Sequence, residues 1–158
     1  MGVRWQRARF GELDGAAVYA MLQLRQRVFV VEQRCVFLDA DGVDPACLHV
    51  LGWDGDALVA AARIVPAGRV HAQVSIGRVV SAPEVRGTGV GRQLMAEAIA
   101  LTEAAHGDVP IYLWAQSYLR RLYESFGFVV CGAEGEEDGI PHYPMLRASA
   151  GHDHVLPG

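Results

Sequence analysis

A chain of 158 residues, 51% of them hydrophobic, falls within the range of one domain and holds enough apolar material for one continuous core. A net charge of −4 and a pI near 5.8 exclude a general polyanion binder, since affinity for a phosphate backbone rests on clustered Lys and Arg, so nucleic acid is not an expected partner. Cys35, Cys47 and Cys131 contain no CxxC pair and cannot all pair with one another, no run is apolar enough to span a bilayer, and a reducing cytoplasm is the expected setting.

The basic start, Met1 to Arg9, is followed by no apolar stretch of the kind a secretory leader carries. Asp14 is placed to cap a helix whose apolar face holds Ala17, Val18, Met21, Leu22, Leu24, Val28 and Phe29. From Glu32 to Pro45 the pattern breaks into an ordered loop or irregular second helix. Its acids, Asp39, Asp41 and Asp44, read as a solvated surface that could also draw a cationic amine. Leu48 to Trp53 and Leu58 to Val65 are apolar runs joined by Asp54-Gly55-Asp56, a hairpin signal. Val74 to Ser81 is a further strand, ended by Ala82-Pro83.

Leu94, Met95, Ala98, Ile99, Leu101 and Thr102 then recur at helical spacing up to Gly107, a C-terminal stop. Ile111 to Ala115 is a strand, and Leu119, Leu122, Tyr123 and Phe126 form a short helix closed by Gly127. Val129 to Gly132 and Met145 to Arg147 are the last strands. Residues 1–148 are expected to be one mixed α/β domain, and residues 149–158 a disordered tail.

The segment Arg86-Gly-Thr-Gly-Val-Gly-Arg92 carries the most chemistry. Gly87, Gly89 and Gly91 admit backbone conformations barred to other residues, so that successive N–H groups can converge on one anion at a helix start. Arg86 and Arg92 can add charge. A lone glycine turn would be the plainer reading, but its position after a strand and before a long amphipathic helix favours a pyrophosphate cradle. It is not a P-loop, because Arg92-Gln93 stands where Lys-Ser/Thr is needed. A dinucleotide fold is disfavoured too, since the strand at 111 ends in Gln116 and not in an acid.

Arg86-x-x-Gly89-x-Gly91 resembles the acyl-CoA signature of the GCN5-related N-acetyltransferases (GNAT), and Leu122-Tyr-Glu-Ser-Phe-Gly-Phe128 resembles the same superfamily's later helix motif. Leu24 to Gln33, Asp41-Gly-Val-Asp44 before His49, Ile76 to Val80 and Glu137 to His142 are similar to the bacterial ElaA-type subfamily, so the resemblance covers roughly residues 14 to 147. It implies a central, mostly antiparallel, splayed sheet with helices on both faces, acetyl-CoA as cosubstrate, and a tendency to form homodimers. By resemblance, the backbone of Val79, Val80 and Ser81 would meet the pantetheine arm, and Arg86, Gly87, Thr88, Gly89, Val90, Gly91 and Arg92 would take the pyrophosphate. Tyr123 would protonate the departing thiolate. Gln116 stands where many members carry an asparagine that contacts pantetheine.

This sequence departs from the family where many members place a carboxylate on the strand before the phosphate loop. Ser75 and Arg78 stand there instead. The general base is therefore sought among Glu32, His49, His142 and the run Glu136-Glu137-Asp138, with Glu32 and His142 preferred. A base is needed because an alkylamine with a pKa of about 10 must lose a proton before it attacks a thioester. The implied activity is direct transfer of an acetyl group from acetyl-CoA to a primary amine. The alternative is a catalytically inactive acyl-CoA-binding regulatory or partner module. The acceptor site is expected between the Glu32 to His49 segment and the Glu136 to His142 loop. Cys35, Cys47 and His49 lack the tight ligand spacing of a structural zinc site, and His152 and His154 lie in a tail with no core to orient them, so no metal is expected.

Overall fold

Asp14 opens the first helix as its position suggests: its carboxylate accepts the N–H of Ala17 at 2.8 Å, and α1 (Gly15–Arg25) follows. The turns then widen, and Gln26–Glu32 continues the same rod as a π-helix before the chain leaves helical geometry at Gln33. The structure is a computed structural model that describes residues 2–153. Among them, no helix is long and apolar enough to cross a membrane.

The strands are β1 (Arg4–Arg9), β2 (Leu48–Asp54), β3 (Ala57–Val65), β4 (Val74–Ser81), β5 (Ile111–Gln116), β6 (Val129–Val130), β7 (Gly135–Glu137) and β8 (Ile140–Arg147). They form one sheet in the order β1-β2-β3-β4-β5-β8-β6, with β7 pairing β8. Helices α2 (Val90–His106) and α3 (Arg120–Glu124) complete the fold, which has helices on both faces. β3 records this in its burial: every residue from Val59 to Val65 is buried, as packing on both faces requires.

One junction breaks the sheet's regularity. β4 and β5 are the parallel pair, and they match only Val74 with Ile111 and Ser75 with Tyr112 before separating. Beyond Ser75 the facing edges of both strands have no strand partner among the described residues, and a wedge opens toward Ser81 and Gln116. β5 keeps strict alternation along this opening. Ile111, Leu113 and Ala115 are buried in the core, while Tyr112, Trp114 and Gln116 are half-buried and line the opening.

Several expectations change. Arg4–Arg9 form an edge strand that the basic, weakly alternating sequence Arg-Trp-Gln-Arg-Ala-Arg does not announce. The last long strand starts at Ile140, five residues before Met145, and β6 is two residues long. Ala150–Asp153 form a helical turn, with the N–H groups of Ala150 and Gly151 on the Asp108 carboxylate, where a structureless tail was expected from residue 149. Residues 154–158, with His154, lie outside the described residues.

Candidate active site

The phosphate-loop geometry follows from its glycines. Gly87 has φ +81° and Gly89, the N-cap of α2, has φ +88°, both in the left-handed region that costs a side-chain-bearing residue dearly. A Cβ at either position would meet no protein atom within 4 Å, so the space beside the loop is open to a ligand. Such an opening beside the start of a 17-residue helix fits a pyrophosphate. Arg86 and Gly91, at the two ends of the turn, line a cleft of about 1120 Å³ that also takes in Val79, Val80, Ser81, Gln116, Tyr123, Glu32 and His142. Thr88 and Val90 can serve the cradle only through their backbones: the Thr88 hydroxyl donates to the Val85 carbonyl, and Val90 is a core side chain. Arg92 turns aside to donate to Ser125 Oγ at 3.0 Å and lies over the Phe126 ring.

β4 carries a bulge where it borders the wedge. Ala61 pairs with Val80 and Arg63 with Gly77, so Arg78 and Val79 together face Ala62, and Arg78 sits at φ +48°. A left-handed, non-glycine residue persists only where its surroundings hold it. Here Arg78 donates to the Asp39 carboxylate at 2.9 Å and stacks over Phe37 at 5.3 Å.

Across the wedge, Tyr123 is 4% exposed on α3 and packs edge-on against Phe128. Burial raises its pKa above the ordinary tyrosine value, so the hydroxyl keeps its proton at neutral pH. Gln116 donates to the Gln33 side chain at 3.3 Å, linking the end of β5 to the segment after the π-turn.

The two preferred bases differ sharply in their surroundings. Both oxygens of Glu32 accept from Arg86 at 2.7 Å, and the guanidinium holds this carboxyl below its ordinary pKa. That geometry argues against Glu32 as the proton acceptor. His142, on β8 opposite Gln116, is buried and stacked on Trp114 with centroids 5.3 Å apart and planes 13° from parallel. Its Nδ1 lies 2.8 Å from the Ile140 carbonyl oxygen, which can only accept. In the neutral ring Nδ1 therefore carries the hydrogen and Nε2 the lone pair.

The acidic loop is not a solvated surface. Asp39 and Asp44 are 4% and 5% exposed, and they join Asp41 in a network with Arg25, Arg63 and Arg78. Arg63 holds the Asp41 carboxyl well below the usual carboxylate range. At Asp44 burial pushes the pKa upward, but the Arg25 and Arg63 guanidiniums outweigh it. His49 is fully buried behind this network, bonded to the Asp44 carbonyl at 2.9 Å and outside the cleft lining, so it is structural. Trp114 and the Arg78 bulge are not announced by the sequence, although the alternation of β5 carries a signal for Trp114, while Glu137, one of the candidate bases, accepts from Trp114 Nε1 at 3.0 Å.

A parallel pair thus opens beside a glycine turn, and a buried tyrosine and a histidine line the same cleft. The family model of the acetyltransferase (GNAT) domain matches residues 46–148, and the chain belongs to that family. It is 44% identical to protein ElaA of Escherichia coli (strain K12) over 147 residues, 92% of this chain and 96% of that one. The crystal structure of Escherichia coli ElaA superposes with a TM-score of 0.88 at 43% identity, covering 92% of this chain and 99% of that one. An acyl-CoA N-acyltransferase from Pseudomonas aeruginosa superposes with a TM-score of 0.87 at 40% identity and the same coverage.

Proposed function

We propose that this GNAT acetyltransferase moves an acetyl group from acetyl-CoA directly to a primary amine held in the β4–β5 wedge. The observation that carries the reading is the wedge itself: unpaired strand edges, a left-handed glycine turn at one end, and Tyr123 and His142 lining one cleft. The unpaired edge of β4 offers backbone groups of Val79, Val80 and Ser81 to a pantetheine amide, as a strand would. The turn from Arg86 to Arg92 receives the pyrophosphate.

His142 Nε2 takes a proton from the ammonium, because a protonated amine has no lone pair with which to attack. The freed nitrogen adds to the thioester carbonyl carbon, the bulged backbone of β4 supplies N–H groups to the carbonyl oxygen, and the C–S bond breaks as the C–N bond is kept. Tyr123 O–H gives its proton to the departing sulfur, the proton that the nitrogen sheds as the amide forms restores the tyrosine, and His142 is left with the one proton the overall reaction releases. Burial raises the Tyr123 pKa, so the hydroxyl holds its proton between turnovers. No enzyme nucleophile is required. Cys131 is exposed and lies outside the cleft lining, while Cys35, buried in the wall, has its thiol pKa raised by that burial and by Asp138 and Glu137.

The reading is tested by following free thiol from acetyl-CoA with and without a primary amine. Thiol release that depends on amine, with one N-acetylated product per thiol, supports it. Tight CoA binding with no amine-dependent release would instead support an acyl-CoA-binding module without turnover.

A further inference from the structure

The half of the cleft away from the phosphate turn has its own floor. Trp114 and Tyr112 project from β5 between buried neighbours, Trp114 stacked on His142 and Tyr112 packed against His71 with centroids 4.2 Å apart. Phe37 forms the facing wall beneath Arg78. A flat, largely apolar surface of this width is more than an isolated ammonium needs.

The charges around that floor are sorted. Asp39, Asp41 and Asp44 are matched by Arg25, Arg63 and Arg78, three against three, and Glu32 is matched by Arg86. None of these carboxylates is left to hold an incoming cation. Glu137 is different: its Oε2 accepts from Trp114 Nε1 at 3.0 Å, and neither it nor Asp138 has an arginine partner among the described residues. Negative charge that is not neutralised is thus confined to one end of the floor, beside the Trp114 and His142 rings. A polyamine needs carboxylates spaced along its length, and this wall has cancelled them. One ammonium on a flat body finds one charged end and a stacking surface.

We propose that the acceptor is a primary amine with a single positive charge carried on an aromatic body, its ring lying on Trp114 and Tyr112 and its ammonium beside Glu137 and within reach of His142. This assignment rests on the amine-transfer reading above and deepens it by naming the substrate class.

The test compares 2-phenylethylamine, n-butylamine and spermidine as acceptors, with Trp114→Leu and Trp114→Phe as variants. The expected result is that kcat/KM for 2-phenylethylamine exceeds that for the other two, and that its ratio to n-butylamine falls about three- to tenfold in Trp114→Leu, the scale of one lost aromatic pairing, and recovers in Trp114→Phe. Spermidine as the best acceptor, or an unchanged ratio in Trp114→Leu, overturns the proposal while leaving amine transfer standing. Perturbation of the Trp114 indole resonance on titrating 2-phenylethylamine, without CoA, reads the groove separately from turnover. If no amine is acetylated but this binding occurs, transfer fails and the groove assignment stands. If that binding is also absent, the groove assignment fails.

Discussion

Arg86 forks onto Glu32 so that each carboxylate oxygen receives one guanidinium N–H at 2.7 Å. The pair spans 54 residues of sequence and ties the end of the π-turn after α1 to the start of the phosphate turn. A carboxylate so engaged is a poor base and a good holder of an arginine that faces the cleft.

Glu32→Gln is therefore expected to keep the pH profile of amine acetylation and not to weaken CoA binding. His142→Phe keeps a flat ring on Trp114 and removes Nε2, so it is expected to lower the rate by roughly 10²- to 10⁴-fold at every pH. Steady-state rates across pH for the two variants check both halves. A profile altered by Glu32→Gln and a rate untouched by His142→Phe would reverse the assignment.

Gly89→Val is expected to weaken CoA binding at least tenfold by calorimetry, a loss of about 1.4 kcal/mol. At φ +88° the substitution also carries a strain of about 1–3 kcal/mol, so a control is needed. Gly55→Val in the β2–β3 hairpin has φ +61° and equally open surroundings. It is expected to lose similar stability and keep CoA affinity.

Tyr123→Phe preserves the edge-on contact with Phe128 and deletes only the hydroxyl. CoA affinity is expected to hold, while the transfer rate falls by about 10² to 10⁴. Single-turnover kinetics separate this from slowed product release. An unaltered chemical step would make Tyr123 a packing residue.

His49 contributes a pH dependence of stability, not of catalysis. Burial depresses its pKa, and its Nδ1 has no hydrogen-bond partner among the described residues, so the folded protein holds the neutral ring. The unfolded chain binds a proton near the ordinary value of about 6.5 and the folded one only at lower pH. This contribution to stability is present above that value and is lost as pH falls through it toward the folded pKa. His49→Gln is expected to flatten the change of Tm with pH on the acid side of neutrality. An identical slope in the parent and the variant would contradict this.

The glycine turn, the β2–β3 hairpin and the helix of Tyr123 were legible because each is written in contiguous residues. The acidic loop was misread because its neutralising partners are remote: Arg25 and Arg63 each lie 19 residues from Asp44, and Arg78 lies 39 from Asp39. Nothing local distinguishes an aspartate facing water from one facing a distant guanidinium. Likewise Ile111 to Gln116 reads as a strand, but Trp114 becomes a cleft floor only because β4 diverges after Ser75. β1 was missed because its side chains, mostly polar, cover an edge.

The most direct measurement of the central claim is the fate of a labelled acetyl group. With isotopically labelled acetyl-CoA and a primary amine, the label is expected on the amine nitrogen in amounts equal to the thiol released, and acetyl-CoA alone is expected to leave the protein's mass unchanged. Label retained on the protein, or thiol released without acetylated amine, would contradict direct transfer through the β4–β5 wedge.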